Sequence, residues 1–418
     1  MRNSGKIIFH IDVNSAYLAW EAIKRLEEGE TTDIRDIPAI VGGDPVLRRG
    51  IVLSKSLSCK PFKIQTGESL YSALSKCPHL TVVPARFGLY ENYSDALIEY
   101  LRRFSDRVQQ YSIDEAFVDY TYMEDHFGPP MEAADKIRTG IQKEFGYTVC
   151  IGVSSNKLLA KMATELRKPN YTNSLFPHEI EKMWALPIEE LFMAGFATAP
   201  KLRKFGISTI GDLAHYNIKY LIPHFKSFAH VLWQYANGID DSDVITESAA
   251  AKSIGNSTTI PYDVKDCDEA NVILLSLCES VGMRLRKSGY SATVISVGIR
   301  TGNFEYYSKR KKISFPTDNT TDIYNYAKAI FKEGWRNEPV RQLGVQTSGL
   351  CSGGSGQLRL LGQESADRNR KLDRSVDEIR SRFGDSSVMR ASYLCRRTRE
   401  EYSLKKFSPF RSTGGLGR

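Results

Sequence analysis

The segment Lys6-Ile7-Ile8-Phe9-His10-Ile11-Asp12 constrains this chain more than any other. A short apolar run that ends in an acid reads as a buried strand delivering Asp12 at its tip. Such a strand needs neighbours, and the sequence supplies them at 39–42 (AIVG), 50–54 (GIVLS), 80–83 (LTVV), 116–120 (AFVDY) and 147–153 (YTVCIGV). Between them, helical spacing appears in 90–104 through Ala96, Leu97, Tyr100, Leu101 and Phe104, and in 132–145 through Ala134, Ile137, Ile141 and Phe145. The stretch SSNKLLAKMATELRKP offers Ser154 or Ser155 as the helix N-cap and stops before Pro169. Strands alternating with helices predict an α/β or α+β domain over roughly residues 1–175.

The chain is long enough, at 418 residues, for two to four domains. Residues 178–245 read as mostly helical. Mixed character returns over 252–350, with helices at 271–287 and 322–333 and strands at 293–301 and 341–347. The small polar stretch 246–252 reads as a linker between domains, and CSGGSG after Gly349 as a flexible one. Beyond it, Leu372, Val376, Ile379 and Phe383 recur at helical spacing over 367–383, with Gly384 as the stop, which predicts an amphipathic helix outside the main body.

Charge narrows the partners. Residues 1–251 hold 28 Lys+Arg against 31 Asp+Glu, residues 252–350 hold 14 against 10, and residues 351–418 hold 15 against 8. An acidic front and a basic back are compatible with nucleic-acid binding, since basic side chains neutralise phosphates. A solvated basic tail without a partner fits the same charges. No apolar run approaches the ~18 residues of a membrane span, and Asp12 comes too soon for a signal peptide. Seven scattered Cys with no CxxC pair exclude a disulfide framework and a zinc site, so a reduced cytoplasmic protein is expected.

Two features carry chemistry: Asp12, and the adjacent acids Asp114 and Glu115 in SIDEAFVD. Neighbours on a regular strand point to opposite faces, so Asp114 and Glu115 serve one metal cluster only if the backbone turns there. Three converging carboxylates suit hard divalent cations such as Mg²⁺, and a metal pair can activate an attacking oxygen and stabilise a leaving one. A solvated turn is the bland alternative for the Asp-Glu pair.

The order HIDVNSAY, GIVLS…CKPF, VPARFGLYENYS, YSIDEAFVD and IGVSSNKLLAKMATELRKPN resembles the Y-family translesion DNA polymerases, in their bacterial polymerase IV and UV-damage-repair branch. The resemblance spans about residues 6–350. It implies an α+β right-hand polymerase: a palm of mixed sheet and helices (1–18 and 78–175), small fingers (19–77), a helical thumb (176–245), an α/β little finger (246–350) and a C-terminal tail (351–418). It implies error-prone, template-directed DNA synthesis on primer-template DNA with dNTPs. Asp12, the Val13 carbonyl, Asp114 and Glu115 would hold two Mg²⁺, with Mn²⁺ able to substitute. Tyr17 matches the family's steric gate against a 2′-hydroxyl, and the amides of Ser15, Ala16 and Tyr17 open a helix suited to phosphate.

Elsewhere the chain departs from the family. Its fingers carry Leu57 where the family has Tyr, and Lys60 where it has a phosphate-binding Arg, while Ser54 and Lys168 are kept. Lys60 retains charge but loses the bidentate fork, so weaker or rearranged nucleotide binding is expected. In the thumb the family's Gly-x-Gly becomes Gly195-Phe196-Ala197, a hairpin expected to meet a DNA phosphate. Ser15 and Ala16 stand where the family often has bulkier residues. The run Lys309-Arg310-Lys311-Lys312, beside Tyr306 and Tyr307, is a candidate for contact with the duplex. Gln357-Leu358-Arg359-Leu360-Leu361 resembles a sliding-clamp peptide on a tether that raises its effective concentration. A cytoplasmic, nucleoid-associated monomer is the expectation. A catalytically weak accessory that binds DNA and the clamp is the rival reading, favoured by Leu57 and Lys60 and opposed by the retained acids. A two-metal nuclease would leave Tyr17 and the triphosphate lysines without purpose.

Overall fold

A computed structural model of the chain describes residues 5–43, 50–246, 251–352 and 363–393. It divides into two compact units, residues 1–43 with 51–248 and residues 44–50 with 249–418.

The first unit is built on a five-stranded sheet whose central strand is the apolar run, β1 (Ile8–Val13). It is followed by α1 (Ala16–Glu27), β2 (Ala39–Gly42), β3 (Val52–Lys55), α2 (Leu70–Lys76), β4 (Thr81–Pro84), α3 (Phe87–Leu101), β5 (Val108–Gln110) and β6 (Glu115–Asp119). Then come α4 (Glu124–Phe127), α5 (Pro130–Phe145), β7 (Val149–Ser154), α6 (Lys157–Leu166) and β8 (Thr172–Ser174). Strand order is β5-β6-β1-β7-β8. Every residue of β1 is buried, as the unbroken apolar pattern requires. The palm core packs Phe9, Ile11, Trp20, Tyr90 and Ile137 together, and α1 contributes to it through Ala22. The fingers keep a separate small sheet, β3-β2-β4, over Ile40, Val52, Ile64 and Leu70.

The cap of α6 differs from the sequence expectation. Asn156, not Ser154 or Ser155, is the N-cap, and its side chain accepts from Leu159 N at 2.8 Å. Ser154 ends β7 instead, its hydroxyl bonded to Leu175 O. Below α6, Gly152 on β7 permits a close approach, because a Cβ there would lie 1.9 Å from the Ala160 carbonyl oxygen. The side of α6 away from the palm carries Leu158, Leu159, Met162 and Ala163 into the core of the thumb. The thumb's short helices are α7 (Glu181–Trp184), α8 (Ala199–Arg203), α9 (Ile210–Ala214), α10 (Ile222–Phe225) and α11 (Phe228–Ala236).

The second unit is a four-stranded antiparallel sheet backed by helices: β9 (Ser253–Val264), α12 (Cys267–Lys287), β10 (Tyr290–Thr301), β11 (Tyr306–Thr317), α13 (Thr320–Gly334) and β12 (Val340–Ser352). The order is β11-β10-β12-β9. Ile295, Val297, Ile299, Leu343 and Val345 pack with α12 and α13. Strand β12 runs on through Cys351 and Ser352, so the first two residues of the expected linker belong to the sheet. The rest of that linker and the 357–361 peptide lie outside the described residues, as does most of the 246–252 stretch.

The last helix, α14 (Gln363–Phe383), forms where the spacing predicts, with Gly384 at φ 89° closing it. The sequence predicts that it stands apart from the body; instead it packs on it through its polar side. Asp373 and Arg380 are buried, while Leu372 and Phe383 are 57% and 74% exposed. The Arg286 guanidinium on α12 donates to Asp377 at 2.6 and 3.1 Å and to Asp373 at 3.2 Å. Asp373 also accepts from Thr320 N at 2.8 Å, at the start of α13. Buried Glu279 gathers Arg390 at 2.7 Å, Arg380 at 3.3 Å and the Tyr393 hydroxyl at 3.2 Å. Ion pairs of this geometry fix α14 to the little finger and leave its apolar stripe facing out.

Candidate active site

Register brings the acids together. Asp12 pairs with Glu115 across β1 and β6, and Val13 N donates to the Asp114 carbonyl at 3.0 Å. The turn required of the Asp114-Glu115 pair is present: residues 112–114 form a bend, and Tyr111 N and Ser112 N both donate to Glu115 O, at 2.9 and 3.1 Å. Ser112 Oγ donates to Asp114 Oδ1 at 2.6 Å.

Two carboxylates already hold an ammonium each. Lys168 pairs with Asp12, and with Glu165 at 2.7 Å. Lys161 pairs with Glu115 Oε2 at 2.7 Å. Burial pushes the Asp12 carboxyl up to about 6 while Lys168 opposes the rise, and the Lys168 ammonium is itself shifted upward by Asp12 against its burial. Glu115 goes the other way: burial would raise it, but His10 and Lys161 outweigh that and hold it at about 2. Among the described residues no three acids, cysteines or histidines close into a metal cage. The donor chemistry nevertheless fits hard divalent cations, because the buried Asp12 carboxyl, pushed upward by burial, lies opposite Glu115 in the register, with Asp114 next to it in the chain.

Tyr17 stands in the first turn of α1, following Ser15, whose φ of 50° makes the tight entry from β1. Its ring stacks on Tyr90 at 4.6 Å and 13° and meets the edge of Phe87 at 6.2 Å. Burial and the Asp114 carboxylate both push the Tyr17 phenol upward, which places Tyr17 and Asp114 in one site. Tyr90 is locked in turn: its hydroxyl donates to buried Glu21 at 2.8 Å and accepts from Arg86 N at 3.1 Å, while Arg86 forks onto Glu21. Sequence reading missed this support; the only signal was the spacing of acid, arginine and tyrosine on α1 and α3.

The remaining candidates are less concentrated. Ser54 is buried, and its hydroxyl accepts from Leu18 N at 3.4 Å. Lys60 is exposed on the turn Leu57–Phe62, and Leu57 beside it is half exposed. Gly195, Phe196 and Ala197 form an exposed hairpin before α8, with Thr198 N and Ala199 N both returning to the Gly195 carbonyl. In the second unit, strand alternation splits the basic run. Arg310 pairs with Ser296 on the open sheet face, whereas Lys309 and Lys311 lie opposite core residues Val297 and Ile295, and Lys309 bridges to Glu333 of α13 at 3.0 Å. The open face is a shallow depression of about 1020 Å³ lined by small and polar residues, including Gly255, Ser257, Gly298, Gly344 and Gln346, and by Arg284, Arg300 and Arg310. That floor was not singled out from the sequence, which showed only its basic edge.

Comparison with known proteins shows the family. Residues 11–165 match the impB/mucB/samB family, and residues 251–360 match the C-terminal domain of that family. A DNA polymerase IV of Clostridium acetobutylicum is 46% identical over 93% of this chain and 98% of its own length. DNA polymerase IV 2 of Bacillus subtilis is 35% identical over 93% and 95%. A solved Y-family DNA polymerase chimera of Dbh and Dpo4 shares the fold, with a TM-score of 0.73 over 83% of this chain and all of its own, at 24% identity. Family models over most of the chain and near full-length relatives place the chain in the impB/mucB/samB family, among the bacterial Y-family polymerases of the DNA polymerase IV type.

Proposed function

We infer that the chain is a DNA-directed DNA polymerase of translesion synthesis, extending a primer 3′-hydroxyl with dNTPs on a DNA template, as its relatives named DNA polymerase IV imply. The observation that carries the reading is one constellation: Asp12 opposite Glu115, Asp114 at the bend beside them, and Tyr17 pinned against Tyr90 within range of Asp114. Membership implies dependence on a divalent metal, and Mg²⁺ is our reading, held by Asp12, the Val13 carbonyl, Asp114 and Glu115. When bound, it supplies activation of the 3′-hydroxyl and neutralisation of the departing pyrophosphate.

The chain's own groups do the positioning. Lys168, one-third exposed, is placed to trade Asp12 for a triphosphate oxygen. The amides of Ser15, Ala16 and Tyr17 open α1 toward phosphate, and Ser54 and Lys60 complete the shell. The ring of Tyr17 selects a deoxyribose. Contacts to the duplex come from the hairpin at Gly195 and Ala197 and from the open face of the little finger, through Arg310 and Lys312 more than through Lys309 and Lys311. The peptide Gln357, Leu358, Leu360 and Leu361 docks on the sliding clamp. The protein acts as an error-prone monomer in the cytoplasm, at the nucleoid. No described helix is long and apolar enough to cross a membrane.

Primer extension with ribonucleotides tests the site. Tyr17→Ala should lose at least about 10-fold of its discrimination against rNTPs while still using dNTPs. Unchanged discrimination removes the gate assignment. Replacing Gln357, Leu360 and Leu361 with Ala should abolish clamp pull-down and leave distributive extension intact; retained pull-down removes the clamp assignment.

A further inference from the structure

We propose that Lys161 is the positioning residue of Glu115: it holds one carboxylate oxygen so that the other alone is presented to the reacting centre. The proposal rests on reading Glu115 as a metal ligand.

The backbone of Glu115 is fixed by two amides, from Tyr111 and Ser112, so only its side chain is free to swing. Two groups approach Oε2: Lys161 Nζ at 2.7 Å and His10 Nε2 at 3.6 Å. His10 is completely buried, and at 3.6 Å its ring nitrogen is beyond hydrogen-bond distance of Oε2. The Thr164 hydroxyl lies 3.1 Å from the Ala160 carbonyl and 2.8 Å from His10 Nδ1. The Thr164 contact holds the ring in place. His10 therefore walls Glu115 from the side, and Lys161 makes the short contact to Oε2.

Lys161 is itself held in place. Its ammonium lies 5.7 Å from the centre of the Tyr111 ring and 5.4 Å from that of Phe192, and its side chain is 13% exposed. An ammonium between aromatic faces gains attraction from both and has little freedom to leave. Phe192 belongs to the thumb, stacks on Tyr235 at 6.0 Å, and precedes the exposed Gly195 hairpin by three residues. The seat of Lys161 is thus shared by palm and thumb. Lys168 is different: it pairs with two acids and is a third exposed, as suits a cation that exchanges partners.

Single-turnover extension and Mn²⁺ binding to a complex with dideoxy-terminated primer, followed by electron paramagnetic resonance, separate the roles. Lys161→Met should lower the maximal rate about 100-fold and leave the dNTP Kd within about twofold. Its Mn²⁺ affinity should equal or exceed that of the wild type, because a repelling cation is gone while all carboxylates remain. Lys161→Arg should recover at least about 10-fold of the lost rate. Phe192→Leu, which keeps the lysine and removes half its aromatic seat, should lose about 3-fold or more. A wild-type rate in Lys161→Met, or a loss confined to the dNTP Kd, overturns the proposal. If Lys161→Met does not fold, an unchanged rate in Phe192→Leu overturns it instead. Glu115→Gln serves as the control: full activity with unchanged Mn²⁺ binding there would refute the metal-ligand reading itself, whatever Lys161 does.

Discussion

The candidate reacting centre and the joint that holds α14 both set buried carboxylates against cations, and they do it in opposite ways. At the centre Asp12 and Glu115 each meet an ammonium, Lys168 and Lys161, and stay short of donors, whereas Glu21 elsewhere in the palm is saturated by the Arg86 fork and the Tyr90 hydroxyl. In the little finger the cations are guanidiniums that saturate what they touch. Arg286 reaches Asp373, Asp377 and the Asp318 carbonyl, and Glu279 collects Arg380, Arg390 and Tyr393. A compact point charge can be exchanged for a metal ion or a phosphate contact, whereas a fork shared among several acceptors cannot move without breaking the packing. Undersaturated acids mark the chemistry; saturated ones mark the joints.

Four measurements can break or sharpen that contrast. Arg286→Met should cost about 3 kcal/mol, since it takes the guanidinium from buried Asp373 and partly buried Asp377. Thermal unfolding reads the loss, and extension per folded molecule should hold within about twofold. Equal loss of activity per folded molecule would erase the distinction. The second is pH dependence in EDTA, comparing wild type with His10→Asn. The folded His10 ring titrates near 4 against an ordinary 6.5, so the folded state binds fewer protons in that window and loses stability as pH falls through it. The wild type should lose about 3 kcal/mol more than the variant between pH 7 and 4. Parallel stability curves would show that the ring is not buried neutral.

Third, Lys168→Met should raise the dNTP Kd about 10-fold, roughly 1.4 kcal/mol, and change stability by less than about 1 kcal/mol because Asp12 can take up a proton. A large stability loss with unchanged Kd would make Lys168 a joint like Arg286. The smallest effect is the salt dependence of duplex binding. Arg310→Ala should reduce the log–log slope by about 1, and Lys309→Ala, whose cation faces Glu333, by much less. Equal slopes would mean that strand alternation does not sort the basic run.

The palm was legible because its chemistry and its core use the same segments. The six strands read from apolar runs all form, three in the palm sheet and three in the separate sheet of the fingers, while the short palm edge strands β5 and β8 were not read; the Asp12 strand needs burial on both faces. In the little finger, β9 and β11 were not read as strands. Half of each faces the open polar floor, and four successive cations masked the alternation of β11. Helix α14 was legible as a helix but not in placement. Spacing put Leu372, Val376, Ile379 and Phe383 on one face of a helix expected outside the body, yet Asp373, Asp377 and Arg380 find partners on α12 that the sequence does not announce. Lys161 was hidden in the same way. Its neighbours Leu158, Leu159 and Met162 serve the thumb, and only the fold shows the lysine turned back toward Glu115.

The central claim, that Asp12, Asp114 and Glu115 form the reacting centre of a polymerase, is tested most directly by one primer-template extension assay on wild type and Asp114→Ala. The account predicts extension by wild type in Mg²⁺ and a loss of at least about 1000-fold in the variant, with folding and duplex binding intact. Extension by Asp114→Ala at the wild-type rate would contradict it. So would the absence of extension by either protein, which marks a binding scaffold, or shortening of the primer, which marks a nuclease.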